Sequence, residues 1–448
     1  MTIAFDFCRK LTPLLVALSI GCATDGPVSP GADSGLNDSS HTADSQNPPA
    51  NDQGPASDAP PPAPDSGNVD PEAGTPPVPA STYPINGTGQ SNCYDANGKA
   101  SCPTAGSAFY GQDANYKLNA MSFKDNGDDT ISDLNTGLMW AKVSIDKMSW
   151  DQAAAGAATF NLGNHSDWRL PTIKEMYSLI HFDGGSQMDE AHSIPYIDTA
   201  YFDFAYGDTT AGDRLIDAQY ITATKYVSTT MNGDETFFGV NFADGRIKGY
   251  PVVKGGGGGS AFTGYVKYVR GNTSYGQNSL TDNGDQTITD KATGLTWQKG
   301  DSGSTLGWQD ALAYCENLSH AGKSDWRLPH AKELHSIVDY TRAPTITNSA
   351  AIDPLFDVTE IQSYFWTSTS HLEGPDNTKG QNAVYIAFGQ AWGFMEMPPN
   401  SGQFSKIDVH GAGAQRSDPK TGDPNDYPQG HGPQGDDIRI YNYVRCVR

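Results

Sequence analysis

The feature that most constrains the fold of this chain is an internal repeat. Residues 125–140 read DNGDDTISDLNTGLMW and residues 282–297 read DNGDQTITDKATGLTW, with 11 of 16 positions identical. Two further pairs of segments match: 150–171 with 308–329, both ending in SDWRLP, and 265–270 (YVKYVR) with 443–448 (YVRCVR). A unit of about 150–170 residues is too long for a solenoid repeat, so the pattern indicates a duplicated domain.

The repeat predicts where the domains lie. We place copy one at 116–272 and copy two at 273–448, preceded by a small disulfide segment at 83–115. In each copy the Asn-Gly pair of DNGD, flanked by β-forming residues, predicts a β-hairpin.

Helices are predicted at two places in each copy. The first follows Trp150 in copy one and Trp308 in copy two. The second follows SDWRLP, where Thr172 and Glu175 have the spacing of a capping box. In copy two His330 stands in place of the threonine, so we expect a weaker cap there.

The N-terminus is typical of an export signal. Arg9 and Lys10 precede an apolar run at 11–20, and as a helix that run would span about 15 Å of a bilayer core of about 30 Å. The pattern predicts a signal peptide at 1–22 that ends in a lipobox-like LSIGC, with Cys22 lipidated. We expect an outer-membrane lipoprotein. The alternative is an ordinary secretory signal with an unrelated cysteine.

Residues 23–82 are rich in Pro, Asp and Ser and contain no Lys or Arg. Such a composition buries too little apolar surface to fold, so it predicts a disordered tether and a cell-surface position for the rest of the chain. The formal net charge is -23, which repels nucleic acid. We expect no nucleic-acid partner, and contact with the membrane only through the lipid anchor.

The cysteines predict two disulfides. Cys8 and Cys22 belong to the export signal, and the remaining four allow three pairings: Cys93, Cys102, Cys315 and Cys446. In copy one Ala157 and Tyr268 occupy the positions of Cys315 and Cys446, so both of these cysteines are missing together. We therefore predict a Cys315–Cys446 bridge, and a local Cys93–Cys102 bridge within 83–115.

In DNGDxTIxD, TGLxW, SDWRLP followed by KE, and YVRCVR, the sequence resembles the C-terminal domain family of the Legionella collagen-like adhesin. That family is similar to the C-type-lectin-like fold. The resemblance implies an α+β fold with tandem C-type-lectin-like domains, each with two helices around a small irregular antiparallel sheet and long loops. It also implies surface display and adhesion, in some members to sulfated glycans.

The hairpin turns are rich in carboxylates, which suggests calcium as a candidate cofactor. The candidate ligands are Asp125, Asp128 and Asp133 in copy one and Asp282, Asp285 and Asp290 in copy two. The alternative is that these residues form tight turns for backbone reasons.

Aromatic side chains late in copy two are candidate ligand contacts, because aromatic faces stack on sugars and anchor interfaces. They are Trp366, Tyr385, Trp392 and Phe394. The alternative is a buried strand at 364–370. The run 398–437, acidic and without a clear secondary-structure pattern, is expected to be a functional or disordered loop.

The chain lacks the sequence motifs of zinc proteases, serine hydrolases and nucleotide-binding enzymes. We therefore predict a binding or adhesion module for a glycan or protein ligand on another surface, and no enzyme. The alternatives are a structural envelope protein without a diffusible ligand, and a degenerate enzyme of the formylglycine-generating type.

Overall fold

The structure, a computed structural model, describes residues 82–116, 118–254, 258–398 and 400–448. The predicted signal peptide, Cys22 and the tether before residue 82 lie outside these residues. Within the described part of the chain, no helix is both long and apolar enough to span a lipid bilayer. The architecture is mostly sheet with a few short helices, in repeated sheet-rich units.

The first disulfide segment and copy one contain short strands and two short helices. In chain order these elements are β1 (Cys93–Asp95), β2 (Gly98–Ala100), β3 (Phe123–Asp125), β4 (Thr130–Asp133), β5 (Leu138–Ala141), β6 (Ile145–Ser149), α1 (Trp150–Gly156), α2 (Ile173–Tyr177), β7 (Gln219–Thr230), β8 (Asp234–Asn241), β9 (Arg246–Pro251), β10 (Thr263–Val266) and β11 (Val269–Gly271). Strands β3 and β4 form a hairpin at the first DNGD turn.

Copy two has a similar order of elements, but its first helix follows its third strand directly and an additional short helix precedes its fourth strand. Its elements are β12 (Leu280–Asp282), β13 (Thr287–Asp290), β14 (Thr296–Gln298), α3 (Trp308–Glu316), α4 (Ala331–Ser336), α5 (Pro344–Thr347), β15 (Tyr364–His371), β16 (Asn382–Ala387), β17 (Trp392–Glu396), β18 (Phe404–Asp408) and β19 (Gln415–Pro419). The run 398–437 therefore contains β18 and β19, which corrects the expectation of a loop without secondary structure.

One eight-stranded sheet runs through both copies. Its strand order is β15-β16-β19-β9-β8-β7-β10-β6. The copies join where β9 and β19 pair antiparallel, with Ile247 opposite Gln415. Copy two contributes three strands to this sheet and copy one contributes five, so the small separate sheet expected in each copy is part of a larger shared one.

The two faces of this sheet are covered differently, because successive side chains of a strand point to opposite faces. One face packs on a single core that both copies share, with Val240, Ile247, Val384 and Ile386 among its members. The other face packs on two separate clusters, one with Phe237 and Tyr250 against α1, and one with Trp366 and Tyr385 against α3. The junction of β9 and β19 lies between these two clusters.

The SDWRLP segments have the same structural role in both copies. Arg169 donates to the Glu175 carboxylate at 2.6 and 2.5 Å, and Arg327 donates to Glu333 at 2.7 and 2.6 Å. Each glutamate also completes the capping box of the following helix. In copy two the His330 ring accepts from the Glu333 N–H at 3.3 Å, so the histidine substitutes for the threonine hydroxyl.

A reciprocal pair of buried lysines links the copies. Lys174 of α2 donates to the Ser336 carbonyl at 2.7 Å, and Lys332 of α4 donates to the Ser178 carbonyl at 2.8 Å. The two lysines occupy equivalent positions of the repeat, as do the two serines. The copies therefore contact each other as the halves of an approximately two-fold symmetric pair.

The segment before copy one packs against both copies. Gln90 donates to the carbonyls of Phe182 and Ser370 at 3.1 and 2.9 Å. Asn86 donates to Asp133 at 2.8 Å, and at the start of copy two Asn278 donates to Asp290 at the same distance. The structure also contains the disulfides Cys93–Cys102 and Cys315–Cys446, the two pairs that the repeat indicated.

Candidate ligand-binding site at the junction of the copies

The carboxylates of the DNGD turns are engaged in stabilising those turns. Asp125 accepts from the Gly127 N–H at 2.9 Å and pairs with Lys142 at 2.8 Å. Asp282 makes the equivalent contacts with Gly284 and Lys299. Asp128 and Asp285 accept from threonine hydroxyls, and Asp133 and Asp290 accept from asparagine amides. The turn interpretation accounts for these contacts. Among the described residues, no group of three or more His, Cys, Asp or Glu is arranged to hold a metal ion.

Two of the predicted aromatic ligand contacts are core residues. Trp366 and Tyr385 are 0% and 2% exposed. The Trp366 indole N–H donates to the Leu306 carbonyl at 2.8 Å, and Tyr385 stacks on Tyr364 with ring centroids 4.8 Å apart. Their strands are covered on both faces of the sheet, so the prediction that these two side chains contact a ligand is wrong.

Trp392 and Phe394 lie on the separate hairpin of β17 and β18, where both are half-buried. Lys406 of the facing strand lies 5.4 Å from the centroid of the Phe394 ring. Their role in ligand binding stays a prediction.

A cavity of about 770 Å³ lies at the junction of the copies, on the sheet face that carries the two separate clusters. Copy one lines it with β9, including Arg246, Lys248 and Tyr250, and copy two lines it with Arg416 of β19 and with the segment 427–438. The volume is in the range of small-molecule sites. The junction that makes the sheet continuous therefore also encloses a space that could hold a ligand.

The inner wall of the cavity is built from ion pairs. Lys248 lies 2.5 Å from Asp244, and Arg246 lies 2.5 Å from Glu373 of copy two. Arg416 pairs with the Asp436 carboxylate, whose other oxygen contacts His410 Nε2 at 3.0 Å. All of these side chains line the cavity. Three cations thus face three carboxylates in a chain whose overall charge is strongly negative.

Several buried polar atoms of this wall have no hydrogen-bond partner within the described residues. They are Arg416 Nε and Nη1, Arg246 Nε, Tyr250 Oη, Asp244 Oδ1 and His410 Nδ1, which we call the open polar atoms. A buried polar group without a partner costs about 1–3 kcal/mol, and native proteins contain few of them. All six belong to residues that line the junction cavity, so a small side-chain movement would let water or a ligand complete their hydrogen bonds.

Burial changes the charge states of this wall. It lowers the pKa of Lys248 to about 8 and the pKa of Arg416 to about 10, and the repulsion between the neighbouring cations adds to both shifts. Burial also lowers the pKa of His410 well below its usual value. Burial alone would raise the pKa of Glu373, but Arg246 and His371 hold it well below the usual range. At neutral pH the arginines are therefore charged and His410 is neutral.

No sequence motif marks Arg246, Lys248 or Arg416 as site residues. The alternating basic residues of RIKGY in β9 are a weak signal by themselves, because alternating charges usually mark an exposed strand face. Arg416 lies in the run that we expected to be a loop. The pairing of β9 with β19 brings these residues together, and the repeat does not predict that pairing.

The fold and the site define a class of protein: a tandem pair of sheet-rich domains that share one sheet and enclose a polar cavity at their junction. The chain belongs to the Lcl C-terminal domain family, whose family model matches residues 129–270 and 286–405. This confirms the family that the sequence motifs predicted, in two tandem copies. No curated protein and no solved structure matches the chain. The second match ends before β19, so His410, Arg416 and Asp436 lie beyond the matched residues.

Proposed function

We propose that the protein is a binding module and that its two copies form one binding site together, at the junction cavity. The observation that carries the proposal is a cavity of ligand size whose lining residues include those that carry the open polar atoms. Membership of an adhesin-related domain family supports binding, and we propose no enzymatic activity.

We further propose that the module is displayed on the cell surface. The lipobox-like LSIGC with Cys22 and the acidic, proline-rich tether support anchoring in the outer membrane with the folded part held away from it. In this proposal each copy is a C-type-lectin-like domain, and the partner is a glycan or protein on another surface. The disulfide that joins the first helix of copy two to its C-terminal segment supports the fold relation.

Adhesion is tested with beads coated with the purified mature chain and applied to glycan arrays, protein arrays and cell layers. We expect saturable binding to at least one surface, and loss of that binding in Arg416→Gln. Arg270→Gln is the matched control, because it removes an arginine from the partly exposed pair with Asp167. Beads that bind no surface, together with stoichiometric assembly of the chain in the envelope, would favour a structural role instead.

A further inference from the structure

We propose that the junction cavity binds a small organic carboxylate that also carries hydroxyl or amino groups, that is, a hydroxy acid or an amino acid. The inference rests on the proposed binding function and adds the chemical class of the ligand. It depends on residues contributed by both copies, and on the copy-two side it depends on residues beyond the family match.

Arg416 is the anchor for the carboxylate. The residue is only 7% exposed, and its Nη2 pairs with Asp436. Its Nε and Nη1 are two of the open polar atoms. A guanidinium is the side chain best suited to donate charge-assisted hydrogen bonds to a carboxylate. An anion at Arg416 would satisfy both nitrogens and reduce the repulsion among Arg416, Arg246 and Lys248.

The charge balance favours a ligand with a single negative charge. Asp244, Glu373 and Asp436 already balance the three cations of the inner wall. Asp213 and Asp217 also line the cavity, where Lys147 and Arg214 neutralise them in ion pairs. The whole lining contains six basic and six acidic side chains, so it has no excess of positive charge. A polyanion would therefore be disfavoured here, and a cavity of about 770 Å³ holds a small molecule or a single end group of a larger partner.

Of the remaining open polar atoms, two require hydrogen-bond donors on the ligand, whereas Arg246 Nε is itself a donor. Asp244 Oδ1 is an acceptor, and His410 Nδ1 is an acceptor when Nε2 donates to Asp436. The Tyr250 hydroxyl can donate or accept, and its ring packs 4.9 Å from that of Phe262, so the wall beside it is apolar. Hydroxyl or amino groups on a short carbon skeleton satisfy this pattern, whereas acetate or sulfate satisfies only the anchor.

The class of ligand is tested by isothermal titration calorimetry on the purified mature chain. The probes are the individual standard amino acids and a series of hydroxy acids and sugar acids, with acetate, inorganic sulfate and glucose as comparators. We expect at least one amino acid or hydroxy acid to bind with a stoichiometry of about one per chain, because the junction is a single cavity formed by both copies, and at least tenfold more tightly than any comparator. No binding by any acid, or equal binding of acetate or sulfate, would overturn the proposal.

Variants locate the site. Arg416→Gln should weaken binding at least tenfold, because it removes the charged anchor. Tyr250→Phe removes only a hydroxyl and keeps the ring, so it should weaken binding about two- to tenfold without lowering the melting temperature. The matched control is Tyr177→Phe, whose hydroxyl is likewise buried without a partner within the described residues but lies outside this cavity. Unchanged affinity in Tyr250→Phe and Arg416→Gln would place the ligand elsewhere and refute the inference.

The two proposals fail in different ways. Adhesion of coated beads without binding of any small acid would leave the binding function standing and refute the ligand class. Binding of an acid that depends on Arg416, without adhesion to any surface, would support the ligand class and refute adhesion.

Discussion

The two copies differ most clearly where the first helix of each meets the C-terminal segment of that copy. In copy two the Cys315–Cys446 disulfide joins α3 to the C-terminal segment. In copy one Tyr268 fills that place: its hydroxyl donates to the Ala153 carbonyl of α1 at 2.8 Å, and its ring centroid lies 4.8 Å from that of Phe160. In both copies the first helix is thus fixed to the C-terminal segment, by a covalent bond in copy two and by a buried aromatic ring in copy one.

The copies also differ at the junction, and that difference creates the cavity. In copy one β9 follows β8 directly in the chain and pairs with it. In copy two the next strand after β16 is β17, which pairs with β18 outside the large sheet, and the later strand β19 takes the place beside β16. The added segment brings Arg416 and the cavity-lining residues 427–438 to the junction. Copy one thus keeps the simple hairpin order, and copy two adds a segment that completes the lining of the cavity.

The largest effect should come from removing the copy-two disulfide. It closes a loop with a sequence separation of 131, so Cys315→Ser with Cys446→Ser should lower the free energy of unfolding by about 5 kcal/mol in the chain-entropy model. The control is Cys93→Ser with Cys102→Ser, which opens a separation of 9 and should cost about 2–3 kcal/mol. Denaturant unfolding under non-reducing conditions measures both. Equal losses would show that loop entropy does not set the contribution of the copy-two bridge.

Breaking either arginine–glutamate pair should lower the free energy of unfolding by less than the loss of the disulfide, and by different amounts in the two copies. Glu333→Gln removes the partner of a nearly buried Arg327 and should cost about 3 kcal/mol, whereas Glu175→Gln should cost about 1 kcal/mol because Arg169 is more exposed to water. The side chains of Arg327 and Arg169 are 11% and 30% exposed. Chemical denaturation of the two variants at neutral pH tests the ranking, and the reverse order would contradict it.

The pair of Arg327 and Glu333 predicts that stability depends on pH. Burial alone would raise the pKa of Glu333, but His330 and Arg327 hold it at about 2, below the value of 4.5 for an unfolded chain. Because the folded pKa is the lower one, this contribution to stability is complete above about pH 4.5 and is lost as the pH falls toward 2. Stability measured from pH 6 to pH 3 should therefore decline less steeply in Glu333→Gln than in the native chain. Equal slopes would show that Glu333 does not contribute to acid unfolding.

Local structure could be predicted from the sequence motifs, but the long-range pairing of strands could not. The repeat, the hairpin at DNGD, the helix starts at Trp150 and Trp308, and the cysteine pairs all follow from residue types at fixed spacing. The ligand-contact prediction failed for Trp366 and Tyr385 because a strand of aromatic residues has the same composition whether a ligand or α3 covers it. The junction of β9 and β19 depends on an insertion present in only one copy, so comparing the copies could not reveal it.

The smallest effect should come from the hydroxyl of Tyr268. Tyr268→Phe loses one hydrogen bond to α1 and should lower the free energy of unfolding by about 1 kcal/mol. Tyr268→Ala should cost about 3–4 kcal/mol, because it also removes the ring that packs on Phe160 and leaves a cavity. A difference of that size, measured by denaturant unfolding, would mean that packing fixes the helix in copy one, in the place where copy two uses a covalent bond. If Tyr268→Phe cost as much as Tyr268→Ala, the hydrogen bond and not the ring would be the counterpart of the disulfide.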